Sequence, residues 1–309
     1  MALFRKYGER RLSRRKAESE FSTMHPLVLF VYYVSVIILS MVLLHPTFLL
    51  CSVILLILLN VMHGIDRSLK KLIAGSLILA FIIAAANPLL SHRGATILFY
   101  LRNNPITLEA ITYGYTLGLS FLTIAFAFAS YHHIVTSHKF LYLFQRISPK
   151  AAILMMITIR FVPLFFQRLK QITMVQKTKG VDVAGGSLRT RAKNGMKLVT
   201  LLLVFSLEEA LQTADSMQAR GFGAAKRTTF ERYRFTMRDG LLMCMIGLAL
   251  LTCLIGSFYG YGVLSIYPTV ASLGINGVEI FILIIYLLLI SLPILIEGRE
   301  RVWWRMQKS

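Results

Sequence analysis

The stretch LVLFVYYVSVIILSMVLL, running from Leu27 to Leu44, carries no charge over eighteen residues. At about 1.5 Å of rise per residue it covers about 27 Å as a helix, close to the thickness of a hydrocarbon core. Five further runs are predominantly apolar, the first of them short: Phe48–Met62, Leu72–Leu90, Ile106–Ser130, Leu241–Phe258 and Val278–Ile296. Pro46 can only open a helix, so the first two runs read as a tight helical hairpin. The expected fold class is all-α: a polytopic membrane protein of about six transmembrane helices, with a helical domain between spans four and five.

The composition agrees. Of 309 residues, 56% are hydrophobic and only 16% charged, where a soluble domain carries about a quarter charged residues. The three cysteines, Cys51, Cys244 and Cys253, lie apart in apolar runs, with no metal or disulfide spacing. The charged segment before Met24 lacks the short apolar run and small residues of a cleavable signal.

A formal net charge of +20 would suggest nucleic acid in a soluble protein. Here the distribution gives another cause. Seven Lys and Arg precede span one, three lie between spans two and three, eighteen between spans four and five, and four follow span six. Only Arg93 and Arg102 fall on the other side, and Tyr259–Gly277 has no charge. Basic loops are retained in the cytoplasm, so both termini and the large insertion are expected there, and no nucleic-acid partner is. The expected organisation is a basic cytoplasmic segment over 1–24, four spans over 25–131, a cytoplasmic domain over 132–239, two spans over 240–298 and a basic tail over 299–309.

The insertion reads as two long helices. Ser148-Pro149 is a cap followed by proline at the first helical position, opening a segment that runs to about Lys179 and stops at Gly180. Gly185-Gly186 breaks the chain; Ser187 can cap a second helix running to about Arg220 and stopping at Gly221. Their apolar middles are short and interrupted, which places them at the membrane surface; an eight-span chain is the alternative. The two ends share a design: Thr178-Lys179-Gly180 and Ala219-Arg220-Gly221 each join a small residue, a cation and a helix-stopping glycine. A cation there faces the negative end of the helix.

The segment Ser206–Gly223, SLEEALQTADSMQARGFG, resembles the signature of the T component of energy-coupling factor transporters, a family that includes the transmembrane subunit of cobalt-type importers. Arg160-Phe-Val-Pro163, Gln176-Lys-Thr-Lys-Gly180, His25-Pro26, Asn87-Pro88-Leu89 and Arg227-Thr-Thr229 are similar to its other motifs, so the resemblance spans about residues 21–240. It implies a mechanical role in a bacterial cell membrane: each helix tip inserts into a groove on one of two ABC ATPase subunits, or on one fused ATPase, and the membrane part holds a substrate-binding S component for vitamin or metal-ion uptake. Carried over, the coupling residues are Lys179, Gly180, Ala219, Arg220 and Gly221, supported on their helices by Arg160, Pro163, Glu208, Glu209 and Met217. Lys179 departs from the arginine usual in the family and loses its planar fork.

Rival readings find less support. His132, His133 and His138 follow span four, but adjacent histidines point to different helix faces and no acid joins them at ligand spacing. No metal or other cofactor is expected. No GxxxxGK[ST] phosphate loop is present, so the chain is not expected to be an enzyme; ATP hydrolysis would belong to its partners. A stand-alone channel or secondary transporter is the alternative function. Such proteins place ionisable residues within their spans, whereas these runs hold only Glu109 and Glu279, near their ends.

Overall fold

The computed structural model describes residues 20–63, 67–91, 94–101, 104–181, 185–224, 233–266 and 276–306. The basic segment before Glu20, Arg227-Thr-Thr229 and the tail beyond Met306 lie outside them. A 3-10 turn, Glu20–Thr23, leads into nine α-helices among the described residues: α1 (Pro26–Val42), α2 (Pro46–His63), α3 (Arg67–Leu90), α4 (Leu108–Ile134), α5 (Ser137–Ile147), α6 (Pro149–Thr178), α7 (Leu188–Ala219), α8 (Met237–Phe258) and α9 (Gly277–Met306). Each of the six apolar runs is helical over most of its length, and the chain is an all-α, multi-pass membrane protein. It divides into two compact units, one of residues 1–137 with 233–309 and one of residues 138–232.

In the first unit α4 is the hub, packing on α1, α2 and α3. Small residues permit the closest approach. A β-carbon on Gly114 would lie 2.6 Å from the Ala84 carbonyl oxygen, and one on Gly118 would lie 3.0 Å from that of Ala80. Such small-residue seams suit membrane helices, where lipid gives no hydrophobic drive to associate. Hydroxyls and amides tie the rest together. Tyr33 and Ser130 share a hydrogen bond of 2.7 Å, Ser120 donates to the Ser40 carbonyl at 2.7 Å, and Asn60 donates to that of Phe126 at 3.1 Å. Tyr32 donates to the Ile290 carbonyl at 3.0 Å and so brings in α9.

Two local features depart from the sequence reading. Ile97–Leu101 (β1) and Asn104–Thr107 (β2) form an antiparallel hairpin, so α4 opens at Leu108 and not at Ile106. The buried Glu109 carboxylate holds this hairpin, accepting from the Thr96 amide at 3.1 Å and the Thr96 hydroxyl at 2.6 Å. The last helix also runs beyond the expected end at Ile296, and it buries Glu297. Buried acids in this unit thus include one that lies just past the last apolar run.

In the second unit α6 and α7 pack against each other. By length and composition α6 is apolar enough to cross a membrane, whereas α7 does not meet that measure over its described residues. An eight-span chain needs both. α5, which the sequence reading did not anticipate, brings Phe140 and Phe144 together one turn apart at 4.8 Å between ring centroids.

Candidate functional site

α6 opens on Ser148 and Pro149 as expected, but the Ser148 side chain makes no capping hydrogen bond. Proline at the first position supplies the start by fixing φ. At the other end the chain turns back on itself. The Gly180 amide donates to the Lys177 carbonyl at 3.1 Å, and the Val181 amide to that of Gln176 at 3.0 Å. This pair of bonds is a Schellman closure, which needs a residue of positive φ just past the cap. Gly180 has φ 77°.

α7 repeats the geometry. Ser187 caps its start, accepting from the Thr190 amide at 3.3 Å. At its end Gly221, with φ 75°, donates to the Gln218 carbonyl at 2.8 Å, and Phe222 donates to that of Met217 at 3.0 Å. Among the described residues beyond its immediate chain neighbours, none comes within 4 Å of a β-carbon built on Gly180 or Gly221. Glycine is therefore required at both by backbone conformation and not by crowding.

The structure shifts one detail. Lys179 and Arg220 are the C-cap residues themselves, one position past the last helical residue, Thr178 and Ala219 respectively. Both are exposed, and each still sits beside the carbonyls that carry the negative end of the helix dipole. The closure alone is not special. α8 ends the same way, with Gly260 at φ 85° donating to Ser257 and Tyr261 donating to Gly256. Its cap residue is Tyr259, so what sets the α6 and α7 ends apart is the cation.

Of the supporting residues, Arg160 and Glu208 are exposed. Pro163 lies inside α6 and leaves the Ile159 carbonyl without its helical amide. Met217 contributes its carbonyl to the α7 closure. Glu209 faces α6, with Oε2 3.7 Å from Nη2 of Arg168. Arg168 also stands 5.8 Å from the centroid of the Phe205 ring. The sequence reading missed Arg168 and Phe205; the four-residue spacing of Phe205 and Glu209, which places both on one face of α7, was the available signal. Of α6 and α7 only Ala152, Ile172 and Leu198 are fully buried, while Leu154, Phe166, Leu203, Leu207 and Leu211 are among many exposed apolar side chains. No cluster of three His, Cys, Asp or Glu suited to a metal ion occurs among the described residues.

Residues 16–230 match the model of a family described as cobalt transport protein. The chain belongs to this family. Among curated relatives, the energy-coupling factor transporter transmembrane protein EcfT of Staphylococcus aureus is 30% identical over 96 residues, 31% of this chain and 36% of that protein. EcfT of Brevibacillus brevis is 35% identical over 92 residues, 29% of this chain and 35% of the relative. EcfT of Bacillus subtilis is 31% identical over 102 residues, 32% of this chain and 38% of the relative. The matches thus span little more than a third of the relatives' length. Both cation-capped helix ends of this cobalt transport family member lie inside residues 16–230.

Proposed function

We propose that this chain is the transmembrane coupling subunit, or T component, of an energy-coupling factor importer. The observation that carries the reading is the pair of helices in one unit closed by the same backbone geometry, each with an exposed cation on its C-cap. Family membership and the names of the relatives support it. In this reading each tip enters a groove on one of two ABC ATPase subunits, or on one half of a fused ATPase. An acidic group desolvated in that groove pairs with the cation; charge-assisted hydrogen bonds are roughly twice as strong as neutral ones. Arg220 can grip a carboxylate through two parallel bonds, and Lys179 through one.

Transmission of a stroke requires stiffness. A 30-residue and a 32-residue helix each span about 45–48 Å, and each Schellman turn pairs two of the carbonyls at its helix end. The exposed apolar side chains of the second unit would be covered by the S component and by lipid. ATP hydrolysis belongs to the partner subunits, and the cargo is a vitamin or a metal ion. Both termini and residues 132–239 are cytoplasmic, in a bacterial cell membrane.

The test is what co-purifies from membranes in mild detergent. One or two ATPase subunits together with a small hydrophobic protein support the proposal. Neither partner, with ion flux through the purified chain alone, would replace it with the channel reading.

A further inference from the structure

Asp239 is 4% exposed and lies in the first turn of α8, directly after the chain returns from the second unit at Arg232. One of its carboxylate oxygens closes the start of its own helix, accepting from the Thr236 amide at 2.9 Å and the Thr236 hydroxyl at 2.8 Å. The other accepts from the His25 amide at 3.3 Å, 214 positions away in the chain. His25 is the N-cap of α1, and its ring accepts from the Leu27 amide at 3.2 Å. The same ring meets the edge of Phe235 at 5.4 Å between centroids and that of Tyr233 at 6.3 Å. A single carboxylate therefore joins the first turns of two membrane helices where the returning chain enters the bundle.

We propose that Asp239 is a positioning residue that makes the starts of α1 and α8 move as one body, so that displacement arriving along the returning chain is delivered to both helices. This rests on the coupling role proposed above. A helix end held only by its own cap is free to shear past its neighbour. A carboxylate shared between two ends resists this, because relative movement strips an amide from a buried anion.

The backbone offers a selective way to cut the link. His25 has φ −59° and ψ 130°, a conformation proline adopts without strain and one that suits a residue preceding Pro26. His25→Pro deletes the amide that Asp239 accepts, while His25→Ala deletes only the ring. Asp239→Asn is the second variant; its single carbonyl oxygen can serve the Thr236 cap or the His25 amide but not both.

The readout is the interspin distance between nitroxides at Phe30→Cys on α1 and Met237→Cys on α8, in full-length chain whose native cysteines are serine, with whatever ATPases co-purify. Spectra are taken without nucleotide and with the ATPases trapped by ADP and vanadate. The unlinked background should give one narrow distribution that does not shift on trapping, and His25→Ala should match it. His25→Pro and Asp239→Asn should broaden it without nucleotide and shift it on trapping, with ATP turnover retained. A background distance that itself shifts, or link-cutting variants that match the background, would overturn the proposal, as would His25→Ala behaving like His25→Pro. The nucleotide-free arm needs no ATPase, so failure of the coupling role and failure of the link are separately visible. If His25→Pro does not accumulate, Asp239→Asn decides alone.

Discussion

The guanidinium of Arg168 on α6 reaches Glu209 at 3.7 Å and faces the Phe205 ring at 5.8 Å, both on α7. The two side chains of the ion pair are 43% and 26% exposed, so solvent screens the charge interaction. Ion pair and ring contact together contribute about 2 kcal/mol at most. Arg168→Ala should lower the thermal midpoint of the detergent-solubilised protein slightly, and Glu209→Gln less. A large loss from Glu209→Gln would show that the ion pair matters more than its exposure allows.

Arg220→Ala should leave the chain folded and inserted, because the side chain is exposed at a helix end. At an ATPase groove the same change strands a buried acid, a loss of about 2–5 kcal/mol. Pull-down of ATPase subunits, with expression matched, should fall steeply for Arg220→Ala, less for Lys179→Ala, and to an intermediate level for Arg220→Lys. The double variant should lose the ATPases yet keep its membrane partner. Wild-type ATPase binding by that double variant would refute the two-tip mechanism.

Gly180→Ala and Gly221→Ala test whether the closures themselves matter. With φ values of 77° and 75°, a β-carbon costs about 1–2 kcal/mol at each position. The open surroundings mean that this cost is conformational only, so asparagine, which tolerates positive φ, should be milder than alanine. Reduced ATPase pull-down by Gly221→Ala with recovery in Gly221→Asn is the expected pattern, since the turn aims the cation beside it.

Two histidines outside the spans make stability depend on pH. Burial lowers the pKa of His25 below its ordinary value, opposed by Asp239, and burial lowers that of His45, opposed by Glu279. The unfolded chain therefore binds protons first as pH falls. Stability is full above the unfolded value of about 6.5 and is lost as pH drops through the lower folded values. The midpoint of thermal unfolding should fall between about pH 7.5 and about pH 5, and His25→Gln with His45→Gln should flatten that slope. An unchanged slope in the double variant would assign the effect to other groups.

Membrane orientation is open to direct measurement. Reporter fusions at the N-terminus, within residues 132–239 and at the C-terminus should read as cytoplasmic, and those within 91–105 and 259–277 as external. An external C-terminus would rule out six spans.

Much of this molecule is written locally. The six apolar runs became helices because a predominantly apolar stretch in lipid can satisfy its backbone within itself only as a helix. The breaks at Gly180 and Gly221 and the cap at Ser187 were legible because each depends on residues within one turn of itself. The cations at Lys179 and Arg220 could be assigned to helix ends for the same reason, although only the folded structure placed them on the caps.

Contacts between distant segments were decided by the tertiary structure alone. Nothing in the neighbourhood of Asp239 announces that its second oxygen takes the His25 amide, since a capping acid looks the same in sequence whether or not another helix arrives beside it. The hairpin over Ile97–Thr107 reads as an ordinary loop until the Glu109 carboxylate holds Thr96. The approach of Gly114 to Ala84, and of Arg168 to Glu209, likewise depends on how helices are set against one another. A run of sequence determines the backbone hydrogen bonds it can close within itself. Which side chains meet across helices follows from packing, which no single stretch of this chain encodes by itself.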